Sequence, residues 1–139
     1  MPSFVLDASV AISWCFPGDP VEDSPYSRKI LAFLTTHDAV VPGVWGYEAA
    51  NCIYVAFSRR KRITAQQVDE FLSRLKALPI VFEPEDLWST VALHSNACQW
   101  NLAAYDAAYV ELAKHKGIPL ATTDIALRAA ALAEGVKLL

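Results

Sequence analysis

The chain has 139 residues, of which 54% are hydrophobic and 19% are charged, and its formal net charge is −3. This length predicts a single domain over residues 1–139 that can bury a core without disulfides. The apolar composition excludes intrinsic disorder, and the weakly negative charge excludes the overall basic character of a duplex-DNA binder.

The sequence also predicts a cytoplasmic protein that does not enter a membrane. It contains no run of about 18 apolar residues, which a membrane span needs, and its first residues lack the pattern of a signal peptide. Three widely spaced cysteines, Cys15, Cys52 and Cys98, argue against a disulfide framework or a zinc site. Their number and spacing favour a reducing compartment.

The first half of the chain alternates short apolar runs with helical patterns. Apolar runs predict strands at about 3–6 and 39–41. Helical spacing predicts three helices, one ending near residue 16 and the others at about 24–36 and 44–59. The proline- and glycine-rich residues 17–25 form a predicted loop. The first strand ends on Asp7, and in an open α/β sheet ligands bind at the carboxyl ends of the strands.

The next segment opens with a capping-box pattern. Thr64 followed by Gln67 predicts the start of a helix that continues to about residue 76. Residues 78–82 form a predicted strand. Pro84 suits the first turn of a fifth helix that ends near residue 98.

The last third of the chain predicts two more helices and two strands. We expect Asn101 to cap a sixth helix that Gly117 ends. Residues 119–122 form a predicted strand, Asp124 begins a seventh helix that Gly135 ends, and residues 136–139 form a last strand. This alternation predicts an α/β fold with about five short parallel strands in a central sheet and about seven helices on its faces.

Two carboxylates interrupt the apolar faces of predicted helices. Around Asp106, the residues three and four positions away on either side and the residue seven positions after it are apolar, and around Glu48 the corresponding residues are mostly so. A buried carboxylate without a partner is costly, so each needs a hydrogen-bond donor or a cation. The arginines and lysines cluster at helix ends instead, which favours a bound metal ion.

The strand ends supply two further acids. Asp7 and Asp124 each follow a predicted strand, so we expect them to face the crevice that Glu48 and Asp106 can reach. Four acids without a neighbouring histidine or cysteine form an all-oxygen site, which suits Mg²⁺ or Mn²⁺ better than zinc. Such sites hydrolyse phosphodiesters with activated water. Each acid alone could instead be structural, and Asp124 could simply be an N-cap.

In four stretches the chain resembles the PIN-domain nucleases, and among them the VapC toxins of bacterial toxin–antitoxin systems. The stretches are VLDASVA at residues 5–11, residues 42–51, LAAYDAAYVELA at residues 102–113 and PLATTD at residues 119–124. The likeness covers nearly the whole chain and is weaker at 17–40 and 60–98. Relatives often carry a serine or threonine cap where this chain has Ala103 and Ala104, which leaves the start of the sixth helix open.

The resemblance implies a PIN-like α/β/α sandwich with Mg²⁺- or Mn²⁺-dependent endoribonuclease activity. The catalytic and metal-binding residues carried over from the family are Asp7, Glu48, Asp106 and Asp124. Asp7 and Asp106 would be the principal ligands. Ser9, with Thr122 or Thr123, would support the site through hydrogen bonds.

The resemblance also implies partners. Similar proteins form homodimers and are inhibited by a VapB-type antitoxin whose C-terminal segment enters the active-site groove. Two other functions stay open: a PIN-type nuclease of RNA maturation or decay outside a toxin system, and a catalytically silent module that binds a basic peptide. The chain has neither a dinucleotide-binding glycine fingerprint nor a P-loop motif.

Basic and aromatic residues offer weaker indications of RNA binding. The run Arg59, Arg60, Lys61 and Arg62 could contact an RNA backbone, although a solvated helix end explains these charges at least as well. Trp14 and Tyr105 could stack on bases, but their helical spacing favours packing in the core or in an interface.

Overall fold

The computed structural model describes residues 2–139 and confirms the predicted α/β architecture. A central sheet contains four parallel strands in the order β3-β2-β1-β4. The strands are β1 (Phe4–Leu6), β2 (Ala39–Val41), β3 (Ile80–Phe82) and β4 (Leu120–Ala121). Instead of a fifth strand at 136–139, Leu138 forms a single parallel bridge with Leu120.

The strand sequences explain this order. Strands β1, β2 and β4 are buried along their whole length, as parallel strands covered on both faces require. Strand β1 occupies the interior, with Val5 opposite Val40 on one side and Leu120 on the other. Strand β3 is at the edge of the sheet, and its last two residues are exposed.

Seven α-helices within residues 2–139 connect and flank the strands. They are α1 (Ala8–Ser13), α2 (Pro25–Phe33), α3 (Val44–Tyr54), α4 (Ala65–Ala77), α5 (Leu87–Trp100), α6 (Ala104–Lys116) and α7 (Ile125–Ala133). The third helix reaches residue 59 as predicted, but Val55–Arg59 forms a π-helical turn. The first two helices end three residues earlier than predicted.

Several predicted helix ends are confirmed. The side chain of Thr64 accepts from the backbone N–H of Gln67, and the Gln67 side chain accepts from the backbone N–H of Thr64, which completes the capping box of α4. Asp124 is the N-cap of α7. Gly117 ends α6 in the left-handed region, at φ 66°, which glycine adopts without steric cost.

Two predicted starts are wrong. Helix α5 begins at Leu87 rather than near Pro84, because Asp86 provides an N-cap that accepts from the backbone N–H of Ser89. Asn101 does not cap α6. It ends α5 at φ 53°, a left-handed conformation that asparagine tolerates. Helix α6 follows Ala103, which has no capping side chain.

The buried apolar side chains form one cluster, and α6 contributes much of it. Its buried residues are Ala107, Ala108, Tyr109, Val110, Leu112 and Ala113. The small residues let this helix pack closely on the sheet. In the part of the chain that is described, no helix has both the length and the apolar character needed to cross a membrane.

Candidate active site

The first acid is fixed by the sheet itself. Asp7 directly follows β1, and its backbone N–H donates to the carbonyl of Ala121 across 3.0 Å, which extends the β1–β4 pairing by one bond. The residue is only 5% exposed. It occupies the N-cap position of α1, yet its side chain does not bond to that helix. The carboxylate is therefore held at the carboxyl edge of the sheet and faces other partners.

Two hydroxyl groups orient the Asp7 carboxylate. Ser9 Oγ donates to Oδ2 across 2.8 Å, and Thr122 Oγ1 donates to the same oxygen across 2.7 Å. Oxygen Oδ1 is left free of both bonds. Thr122 is fully buried, whereas Thr123 is exposed. Of the two threonines that the sequence offered, Thr122 is the one that contacts Asp7.

The second acid comes from α3. Glu48 is half-buried, and its Oε1 accepts a hydrogen bond from the hydroxyl of Tyr109 across 2.6 Å. Burial raises the pKa of Glu48 above its usual value. The hydrogen bond from Tyr109 opposes this, and the negative charges of Asp7 and Asp106 raise the pKa further.

The third acid lies in the first turn of α6. Burial raises the pKa of Asp106, and the neighbouring charges of Asp124 and Asp7 raise it further. In the described chain no lysine or arginine offsets these effects at Asp106 or Glu48. The sequence predicted such repulsion, and its sources at Asp106 are the carboxylates of Asp7, after β1, and Asp124, before α7.

The fourth acid has two roles in the geometry. Asp124 caps α7, since its Oδ1 accepts from the backbone N–H of Leu127 across 3.0 Å. Its own backbone N–H donates to Thr122 Oγ1 across 3.0 Å. The structural alternative for Asp124 is thus correct, and its charge still acts on Asp106.

Pairwise charge effects therefore link the four predicted acids into a coupled group: Asp7 and Asp106 act on Glu48, and Asp124 and Asp7 act on Asp106. Their elements are the ends of β1 and β4 and the first two turns of α3 and α6. Like charges without a balancing cation are costly at a half-buried site. This arrangement suits the binding of a positively charged species.

The donor set also fits a particular type of metal. As the side chains stand, no three histidine, cysteine, aspartate or glutamate residues within 2–139 are close enough to enclose an ion. Magnesium needs no such cage, because it commonly takes one or two carboxylates and keeps several waters. The four carboxylates offer only oxygen ligands, and Oδ1 of Asp7 is free. Such a set fits Mg²⁺ or Mn²⁺ when water completes the coordination.

The predicted basic residues separate into two groups. Arg62 forms ion pairs with Asp19 at 3.2 Å and Glu22 at 3.8 Å, and its guanidinium lies 4.1 Å from the ring centre of Phe16. It fastens the loop before α2. Arg59, Arg60 and Lys61 are exposed at the end of the π-helical turn.

The aromatic candidates also differ. Trp14 packs against the core and donates through Nε1 to the carbonyl of Ser27 across 2.8 Å, so the packing interpretation is correct for this residue. Tyr105 is 56% exposed, and a place in the core is therefore wrong for it. It directly precedes Asp106 in the first turn of α6.

Sequence reasoning missed two residues beside the acids. Tyr109 fits the apolar face of its helix and therefore does not stand out in the sequence. The only indication was that the hydroxyl of a buried tyrosine needs a hydrogen-bond partner. Arg128 Nη1 donates to the carbonyl of Thr122 across 3.0 Å, which steadies the end of β4. Nothing in the local pattern of α7 indicated that hydrogen bond.

Comparison with known proteins identifies relatives of the fold. A family model described as PIN domain matches residues 4–133. The crystal structure of PAE2754 from Pyrobaculum aerophilum is similar with a TM-score of 0.67 and 20% identity, over 93% of this chain and 79% of that one. The crystal structure of FitAcB from Neisseria gonorrhoeae has a TM-score of 0.64 and 16% identity, over 98% and 96% of the two chains. No curated protein matches the chain significantly.

Proposed function

The chain belongs to the PIN-domain family, and from that premise we propose that it is a Mg²⁺- or Mn²⁺-dependent endoribonuclease, the toxin of a toxin–antitoxin pair. PIN domains are generally nucleases, so a phosphodiester hydrolase is the class of enzyme to expect. RNA as the substrate and the role as a toxin are carried by the resemblance of four sequence stretches to the VapC toxins.

One observation carries the proposal of metal-dependent chemistry. Asp7, Glu48, Asp106 and Asp124 form one coupled acidic group in which burial and mutual repulsion raise the pKa of Glu48 and Asp106. A purely structural group of acids would be expected to have cationic partners, and none in the described chain offsets these two shifts. A divalent cation is the partner that such a group needs.

The residues of the site have distinct roles in this proposal. Asp7 and Asp106 would hold the ion directly, and Glu48 and Asp124 would complete the site directly or through water. When bound, the ion supplies Lewis-acid activation of water and stabilises negative charge on the phosphate oxygens.

The chain's own contribution is positioning. The hydroxyls of Ser9 and Thr122 hold Oδ2 of Asp7, which leaves Oδ1 to face the site. The β1–β4 pairing holds the Asp7 backbone. Fixed donors need no rearrangement when a substrate phosphate arrives, and such preorganisation is a large part of catalysis in phosphoryl transfer.

The proposal includes the partners that the resemblance implies. An antitoxin of the VapB type would cover the four acids, and a group of acids is complementary to a basic C-terminal segment. A homodimer and a cytoplasmic location complete the proposal. Support for the location comes from the three cysteines, which are all free thiols.

The test is cleavage of RNA by matched variants. Asp7→Asn and Asp106→Asn remove one charge each with little change of shape, and we expect both to lose cleavage of total RNA in Mg²⁺ by at least about 100-fold, as for a disrupted metal site. Glu111→Gln is the control, because it removes an acid from α6 outside the coupled group. Cleavage by folded Asp7→Asn and Asp106→Asn at the wild-type rate would exclude the proposal.

The two other candidates correspond to other outcomes. A silent binding module would show no chelator-sensitive cleavage in any variant. A nuclease of RNA maturation or decay would cleave, but without a neighbouring small gene whose product inhibits it.

A further inference from the structure

The geometry points to Tyr109 as a positioning residue that sets the distance between two of the acids. Its side chain is fully buried in α6, and its hydroxyl donates to Oε1 of Glu48 on α3 across 2.6 Å. Tyr109 does not itself contact the ion. The inference rests on the proposed function in one respect, namely that the four acids hold a divalent cation.

The link joins the two helices that carry acids. Helix α3 packs mainly against α1, whereas α6 packs against α5, α7 and β1. The bond between Tyr109 and Glu48 is therefore a direct connection between helices that otherwise touch little. Because Asp106 and Tyr109 are three residues apart, they lie on the same side of α6. Any movement of α6 carries Asp106 and the anchor of Glu48 together.

The bond also selects which oxygen of Glu48 is free. The hydroxyl occupies Oε1 and leaves Oε2 for other partners. Asp7 shows the same arrangement, since the buried hydroxyl of Thr122 occupies Oδ2 and leaves Oδ1. In both acids a buried hydroxyl holds one oxygen, and charge-assisted bonds of this length are strong and directional.

The competing explanation is that Glu48 merely satisfies the hydroxyl of a core tyrosine. A structural role affects folding stability, whereas a positioning role affects the affinity for the ion. Tyr109→Phe removes only the hydroxyl, and calorimetric titration with Mn²⁺ then measures affinity without RNA or catalysis. We expect Mn²⁺ to bind about 10-fold more weakly or worse, as for other residues that orient metal ligands.

Two controls make this titration specific. Tyr54→Phe removes a tyrosine hydroxyl from the half-exposed end of α3, and we expect it to leave the Mn²⁺ affinity within about twofold of wild type. Adding Tyr109→Phe to Glu48→Gln should weaken binding no further, because the tyrosine acts through Glu48. The inference is overturned if Tyr109→Phe leaves the Mn²⁺ affinity unchanged, or if Tyr109→Phe weakens binding as much in the Glu48→Gln background as in wild type.

A measurement on the wild-type protein covers the case in which Tyr109→Phe does not fold. The hydroxyl proton of Tyr109 should give a slowly exchanging, downfield NMR signal that is absent in Glu48→Ala. We expect the signal to persist in protein saturated with Mg²⁺, and its loss on saturation overturns the inference. If the wild-type protein binds no divalent cation, the proposed function fails together with the positioning role. If wild type binds the ion and Tyr109→Phe binds it equally well, only the positioning role fails.

Discussion

Thr122 Oγ1 donates to Asp7 Oδ2 across 2.7 Å and so joins two residues that are 115 positions apart in the chain. The same hydroxyl oxygen accepts from the backbone N–H of Asp124 across 3.0 Å. One buried side chain at the end of β4 thus connects the first and last acids of the site. The orientation of Asp7 depends on the pairing of β1 with β4 that brings Thr122 beside it.

Replacing this hydroxyl should reduce both stability and activity. Thr122→Val keeps the shape of the side chain but removes a hydrogen bond to a carboxylate, which is worth about 1.5–3 kcal/mol. We expect a decrease of that size in the free energy of unfolding by urea, together with slower RNA cleavage, because only Ser9 then holds Oδ2 of Asp7.

Its neighbour provides the matched control. Thr123 is exposed, so Thr123→Val should change the free energy of unfolding by less than about 0.5 kcal/mol and leave cleavage unchanged. Equal effects at the two positions would mean that the hydrogen bond to Asp7 is not what matters.

Removing one charge from the acidic group should stabilise the protein when no metal is present. Asp106 is repelled by Asp124 and Asp7. We therefore expect Asp106→Asn to melt a few degrees higher than wild type in a chelating buffer. Excess Mg²⁺ should shrink or reverse the difference, because it stabilises only the site that binds it. A lower melting temperature for the variant in chelator would contradict the repulsion, and Glu111→Gln serves as the neutral reference.

The same repulsion has a defined pH dependence. Burial and neighbouring charges raise the pKa of Asp106 in the folded state, so the folded protein binds this proton more tightly than the unfolded chain does. Wild-type stability relative to Asp106→Asn should therefore fall as pH rises from about 3.9, the value for an unfolded aspartate, through the raised folded value. Melting curves of both proteins in chelator between acid and neutral pH measure this difference. A stability advantage of Asp106→Asn over wild type that becomes smaller as pH rises would contradict the prediction.

Divalent cations should stabilise the fold in proportion to their binding. At about 100 times the dissociation constant, an ion that binds only the folded state adds about 2.7 kcal/mol to the free energy of unfolding. We expect Mg²⁺ and Mn²⁺ to raise the melting temperature of wild type and to have little effect on a protein carrying both Asp7→Asn and Asp106→Asn. The same rise in both proteins would place the ion elsewhere.

The basic residues should separate by function. We expect a double variant that carries Arg60→Gln and Lys61→Gln to bind single-stranded RNA more weakly than wild type. The slope of log affinity against log salt should become shallower by about 0.7 for each phosphate that the protein no longer neutralises. Stability should not change, because both side chains are exposed. Arg62→Gln should instead lower stability, since Arg62 is paired with Asp19 and Glu22. Filter binding over a salt series and urea unfolding distinguish these effects.

Local sequence rules were sufficient for much of the fold. The capping box of Thr64, the glycine stop at Gly117 and the buried run Ala39–Val41 depend on contacts within a few residues, and all three are confirmed. The rules failed where two adjoining helices compete for one residue. Asn101 suits both a helix start and a left-handed helix end, and in the structure it ends α5.

The acids could be recognised as candidates for a different reason. A carboxylate on an apolar helix face, or directly after a buried strand, violates the local pattern and can be recognised without coordinates. The hydrogen bonds around them could not be recognised in this way. Tyr109 fits the apolar face of α6, so its sequence position gives no sign that its hydroxyl reaches α3.

The sequence by itself determined the strand and helix alternation and the parallel sheet, and it singled out the four acids as candidates, because apolar periodicity and its violations are properties of neighbouring residues. Only the tertiary structure decided that Thr122 rather than Thr123 holds Asp7, that Tyr109 holds Glu48 and that Arg62 is engaged in ion pairs. These interactions join residues 115, 61 and 43 positions apart. Pairing over such distances follows from how strands and helices pack, which no local pattern encodes.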